Sequence, residues 1–166
     1  PAIVLGLLCA TDSLLAQEPV WLNHYANGGS NDGFRLASDG QAGLYGIGTL
    51  HGGATFNDTT IAVLGSSDIL IARWDTSGNL IWARTAGGSC QPGDTDSGGG
   101  IHYEGVNDLL IATGLFSCAP TYFGSQILNG SGPLSGISSM YISAYSPEGD
   151  CEKKKKITAS PQLTYG

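Results

Sequence analysis

Apolar and polar positions alternate along much of this chain with a period of two, the signature of strands with one face buried. The clearest case is residues 66–88, SSDILIARWDTSGNLIWARTAGG. There Ile69–Trp74 is one β-rich run, Leu80–Arg84 is a second, and DTSGN between them supplies turn chemistry. Asp75 and Asn79 can bond their own backbone, and Gly78 can take positive φ without penalty, so the stretch predicts a β-hairpin. Further apolar runs ending in Gly stand at 44–48 and 109–114, each after an acid-Gly turn.

The hairpin pattern returns, worn, as ISSMYISAYSPEGDCEK at 137–153. An offset of 71 places Gly149 on Gly78, Tyr145 on Trp74, Ser139 on Asp68 and Lys153 on Trp82. The preceding stretches correspond too. SDGQAGLYGIGTL (38–50) matches YEGVNDLLIATGLF (103–116), with Gly48 and Gly114 ending the strands, and ATF (54–56) matches TYF (121–123). WLNHYANGG (21–29) resembles WARTAGG (82–88), and Asp96 aligns with Asp32. The repeat units are expected at about 21–81 and 82–152, with the next beginning near 153. A period of this size with about four short strands per unit predicts propeller blades.

The residues carrying the repeat resemble a known family, the bacterial SBBP β-propeller repeats of secreted Bacteroidetes proteins. SDILIARWDTSGNLIWARTAGG is similar to that family's D-x-F-(I/V)-A-K-(Y/L)-D-x-x-G-N-x-x-W…G-G unit, with Arg73 at its Lys position and Trp74 at its aromatic. TDSGGGIHYEGVNDLLIATGLF resembles the segment that follows, departing at Glu104, Asn107-Asp108 and Leu109. The likeness covers 21–153 and is strongest at 66–116; Ser139, Ala144 and Cys151 depart from the pattern in the second hairpin. It implies an all-β fold of antiparallel four-stranded blades, incomplete here at about two blades and part of a third. Trp21, Trp74, Trp82, Gly48, Gly78, Gly114 and Gly149 would be repeat-structural residues. A blade cannot bury both faces alone, so the biological molecule is expected to be larger.

Composition supports strands over helices. Gly makes up 26 of 166 residues, against ~7 % on average, and charged residues only 13 %. Four of the seven basic residues form the run Lys153–Lys156. Residues 1–152 then carry 14 acids against three bases, a net of −11, which excludes the distributed basic surface that nucleic acid requires. The apolar run Ala2–Ala10, followed by Leu14–Ala16 before QEP, resembles the core and cleavage region of a secretory signal peptide. Residues 1–17 are therefore expected to be a signal peptide lacking its charged start, with residues 18–166 forming the blades and with a buried strand or helix start as the alternative. Thr11, Asp12 and Ser13 make the run too short for a membrane span. Both ends look cut from a longer frame.

Candidate chemistry is sparse. His24, His51 and His102 stand singly, without metal-ligand spacing. Asp94 and Asp96 lie two apart in a Gly-rich loop, as hard-cation ligands do, so calcium is the one candidate cofactor; a turn in which Asp caps its own backbone is the alternative. Cys90 and Cys118 are a candidate disulfide in an exported protein, leaving Cys151 over. The repeated aromatics suit packing between units better than a sugar platform. The expected function is a non-catalytic binding or structural scaffold, secreted or in the cell envelope, with a glycan or protein as partner. The alternatives are part of a propeller hydrolase or lyase acting on polysaccharide or peptide, and a calcium-stabilised adhesion module.

Overall fold

Each alternating run pairs with its neighbour in sequence, because the turns between them contain groups that close the backbone locally. In a computed structural model, the residues described are 26–27, 31–56, 59–89, 95–117, 120–129 and 139–157. They form strands and turns, with no helix. The short β1 (Ala26–Asn27) precedes β2 (Asn31–Ser38), β3 (Leu44–Leu50), β4 (Ala54–Phe56), β5 (Thr59–Ile61), β6 (Asp68–Trp74) and β7 (Leu80–Gly87). Then come β8 (Ser97–Glu104), β9 (Leu109–Phe116), β10 (Thr121–Phe123), β11 (Gln126–Leu128), β12 (Ser139–Tyr145) and β13 (Cys151–Ile157).

The order is one six-strand unit used twice. β2-β3-β6-β7 and β8-β9-β12-β13 are antiparallel meanders, and a short hairpin (β4–β5, β10–β11) is inserted between the second and third strand of each. The first sheet is not four-stranded as the repeat implied. The β10–β11 hairpin of the second unit adds to its edge, giving the order β11-β10-β7-β6-β3-β2. The second sheet keeps four strands, and β1-β4-β5 form a third. The sheets are open, and the fold is all-β and antiparallel.

Register follows the repeat closely. Trp74 pairs Leu80 and Arg73 pairs Trp82 across a bulge; Tyr145 pairs Cys151 and Ala144 pairs Lys153 across a bulge at the same place. The two turns are also alike. Asp75 N–H donates to Asn79 O and Gly78 N–H to Asp75 O, while Ser146 N–H donates to Asp150 O and Gly149 N–H to Ser146 O. Gly78 and Gly149 both lie at positive φ, +80° and +88°. The inserted hairpins match too: Thr55 pairs Ala26 as Tyr122 pairs Gly87, and Ala26 and Gly87 are separated by the same 61 positions as Trp21 and Trp82. At β8 the ladder differs by one residue from the sequence alignment. Ser97 pairs Leu115 where Asp32 pairs Thr49, so Ser97 rather than Asp96 is the partner of Asp32 in the repeat.

Alternation then sorts side chains between two cores. Tyr45, Ile47, Ile69 and Ile71 of the first sheet face Leu110, Ala112, Phe116, Tyr141 and Tyr145 of the second. Leu70, Ala72 and Trp74 point the other way, against Leu50, Ala54 and Phe56 beneath the β4–β5 hairpin.

Candidate functional site at the seam between the sheets

The seam is built by close approach of backbone to backbone, which glycine permits. A Cβ on Gly98 would lie 2.7 Å from both Gly48 O and Ile47 Cγ1, so β8 can lie on β3 only without a side chain there. A Cβ on Gly114 would collide with Ser97 O and the Tyr141 ring. Gly98 N–H donates to Thr49 Oγ1 at 3.3 Å, and Arg35 Nε donates to Gly99 O at 2.9 Å.

One end of the seam is held by the β12–β13 turn. Pro147 O accepts from Trp82 Nε1 at 2.7 Å and from Arg73 Nη1 at 3.1 Å, both on the other unit. Gly149 lies against the Trp82 indole, where a Cβ would come within 2.9 Å of the ring. The Arg73 guanidinium lies 5.3 Å above the Tyr45 ring and 3.9 Å from Asp39. Tyr45 in turn stacks on Tyr103 at 5.9 Å. Tyr103 donates to Asp108, whose nearby carboxylate pushes the phenol up to about 12.

Beside this turn lies a cavity of about 240 Å³, lined by Arg84 and Thr85 of β7, by Gly124 and Ser125 of the inserted hairpin, and by Tyr145 and Cys151 of the second sheet. With Asp150 also in its lining, it brings one guanidinium together with a carboxylate, a phenol, two hydroxyls and a thiol. It can seat a small polar group. Burial holds the Tyr145 phenol far above its ordinary value, so it stays protonated.

The other end carries two buried acids. Asp68 Oδ2 accepts the Leu64 N–H at 2.9 Å, while Oδ1, packed against Gly87, has no hydrogen-bond partner. Burial raises the Asp68 carboxyl above its ordinary value. Asp96 is buried, and its Oδ1 accepts the Ser117 N–H at 2.9 Å. Its main chain pairs with Ser67, whose Oγ donates to Asp96 O at 3.1 Å. Asp96 therefore ties the approach to β8 onto the end of β9.

Trp74 and Trp82 lie buried on β6 and β7, Trp74 meeting Phe34 edge to face at 5.7 Å. His51 follows β3 in a bend and His102 is exposed on β8, so these two are not brought together. Trp21, His24, Cys90, Asp94 and Cys118 fall outside the described residues, as do the proposed calcium pair and disulfide in consequence. Among the described residues, no three His, Cys, Asp or Glu side chains are grouped to hold a metal ion. No described helix is long and apolar enough to cross a membrane, which leaves strand-built spans unaddressed.

Three features escaped the sequence. The Pro147 carbonyl is a main-chain acceptor and has no side-chain signature. Asp68 reads as an ordinary strand-opening acid. The triplets ATF and TYF were matched between the units, but neither the short strand each forms nor the edge it joins was read from them.

Comparison with protein-family models finds no match, and searches of the curated proteins and of solved structures find none either.

Proposed function

We propose that this chain is part of an exported, non-catalytic β-propeller repeat protein of the SBBP kind, a scaffold that holds loops for binding a glycan or protein outside the cytoplasm. The observation that supports it most is the unit itself: six strands, twice over, with the same register, bulge and turn, the second unit covering one face of the first. Such stacking makes each unit depend on its neighbours, which is how repeat scaffolds build extended surfaces. The chemistry of the seam is packing and hydrogen bonding to main-chain carbonyls, work that suits a scaffold. The apolar leader-like run and the scarcity of basic residues before 153 support export and a partner other than nucleic acid.

The test is a glycan-array and polysaccharide-binding screen of the purified chain, run beside hydrolysis and lyase assays on the same polymers. Binding without turnover is the expected result. Turnover that survives re-purification would replace the scaffold with the propeller-enzyme reading.

A further inference from the structure

The junction between the two units has two parts. The first is a face. Tyr45, Ile47 and Thr49 on β3, with Ile69 and Ile71 on β6, are all buried under the second sheet. By ladder register their counterparts in the second sheet are Ile111, Thr113 and Leu115 on β9 and Met140 and Ile142 on β12. Of these, Leu115 and Met140 are exposed, at 42 % and 52 %, and Ile111, Thr113 and Ile142 are half-buried. The second part is an edge. The first sheet ends at β7, where Ala86 and Gly87 accept the inserted hairpin through Phe123 and Tyr122. β13 is the counterpart of β7, with Ile157 standing where Ala86 stands, and among the described residues it is the last strand of its sheet.

Charge narrows what fits there. In the observed junction the hairpin tip, Gly124–Ser125, shares a cavity with Arg84 and Thr85. The counterparts of those two residues are Lys155 and Lys156, within the run Lys153–Lys156. A hairpin seated on β13 would meet a strand whose sequence is strongly basic, and lysines on an edge strand oppose indiscriminate strand addition. In the sequence the two residues between β4 and β5 of the first unit are Asn57 and Asp58, which bring an acid of the kind a basic strand would select.

We infer that the outward face of the second sheet, with the outer edge of β13, is a docking surface for one further six-strand unit of this same repeat, which adds its inserted hairpin to β13 at Ile157. The inference rests on the repeat-array reading above and deepens it by naming the occupant. The established junction supplies the geometry: the same face and edge, one unit earlier, are already filled in this way.

Met140 reports on the surface directly, since it is the only methionine in the chain. A second copy of residues 88–157 is joined after Thr158, with the copy's methionine replaced by leucine and its hairpin tip by Asn-Asp. Hydrogen peroxide converts an exposed methionine to its sulfoxide, and peptide mass mapping follows the rate. In the parent chain Met140 should oxidise freely; in the extended chain that oxidation should be lost, and Leu115→Asp in the extended chain should restore it. Oxidation of Met140 at the parent rate in the extended chain overturns the proposal, whether the copy has folded elsewhere or stayed unfolded. Protection of Met140 in the parent that vanishes on dilution overturns it in favour of a second molecule of the chain. Turnover in the enzyme assays would sink the scaffold reading and leave the Met140 result unchanged.

Discussion

Gly149 and Gly124 form a natural pair for weighing the seam. Both sit at positive φ, +88° and +60°. A Cβ at Gly124 would meet no atom within 4 Å, whereas at Gly149 it would press on three atoms of the Trp82 ring at 2.9–3.0 Å. Gly124→Ala therefore carries only the left-handed backbone penalty, about 1–2 kcal/mol, part of it offset by the stiffer unfolded chain. Gly149→Ala carries that plus an overpacking cost of about 1–3 kcal/mol. The ring cannot slide away freely, because its Nε1 is held at 2.7 Å by Pro147 O in the same turn. The expected difference is thus about 1–3 kcal/mol, which for a chain of this size lowers Tm by roughly 2–12 °C more in Gly149→Ala than in Gly124→Ala. Urea and thermal unfolding followed by circular dichroism measure it. In a Trp82→Leu background the two penalties should converge, since the contact that separates them is gone. Equal losses in the native background, or a gap that persists without Trp82, would refute the claim that this turn locks the units together.

Phe123→Ala should cost about 3–5 kcal/mol, because the ring is fully buried and meets Tyr141 edge to face at 5.0 Å. Tyr122→Ala, one residue away and 41 % exposed, should stay within about 0.5 kcal/mol; urea midpoints compare the two. Trp82→Phe should lose about 0.5–1.5 kcal/mol by unmaking the bond to Pro147 O, since Arg73 still serves that carbonyl. Asp68 sets a pH dependence of unusual sign. Burial raises its carboxyl above the ordinary 3.8, so the folded protein holds that proton more tightly than the unfolded chain. Its contribution is complete below the unfolded pKa and is lost as pH rises through the folded one. Asp68→Asn keeps an oxygen acceptor for the Leu64 N–H and carries no charge, so unfolding measured from pH 4 to 7 should gain stability relative to the parent as pH rises. Asp75 should behave oppositely. Its hydrogen bonds from Asn79 hold its carboxyl below the ordinary value, so its contribution is present at neutral pH and lost as pH falls; Asp75→Ala should weaken the acid-side dependence in the same series.

Local chemistry was legible from the chain alone wherever the determining atoms lie within a few residues of one another. DTSGN and SPEGD close their turns through groups three and four positions apart, so Asp75, Asn79 and Gly78 could be read locally and Gly149 by its alignment with Gly78. Strand alternation around Ile69–Trp74 also marked two different faces, because side chains must point oppositely along a pleat. Trp74 and Trp82 could be named as packing residues on the same ground. What the chain alone did not contain was the destination of each face and edge. Arg73 and Trp82 meet Pro147 across 74 and 65 positions, through a carbonyl that every residue type possesses. The inserted hairpin leaves its own unit to pair with β7, where main-chain groups at a sheet edge accept it and the Phe123 ring of TYF is buried between the sheets. Asp68 has room for its buried carboxyl because Gly87, on the neighbouring strand, carries no Cβ there. The sequence by itself determined the strands, their turns and their twofold repetition, since those depend on propensity and short-range hydrogen bonding. Only the tertiary structure decided which sheet covers which, because that depends on main-chain edges and glycine-sized gaps, which carry the same letters wherever they occur.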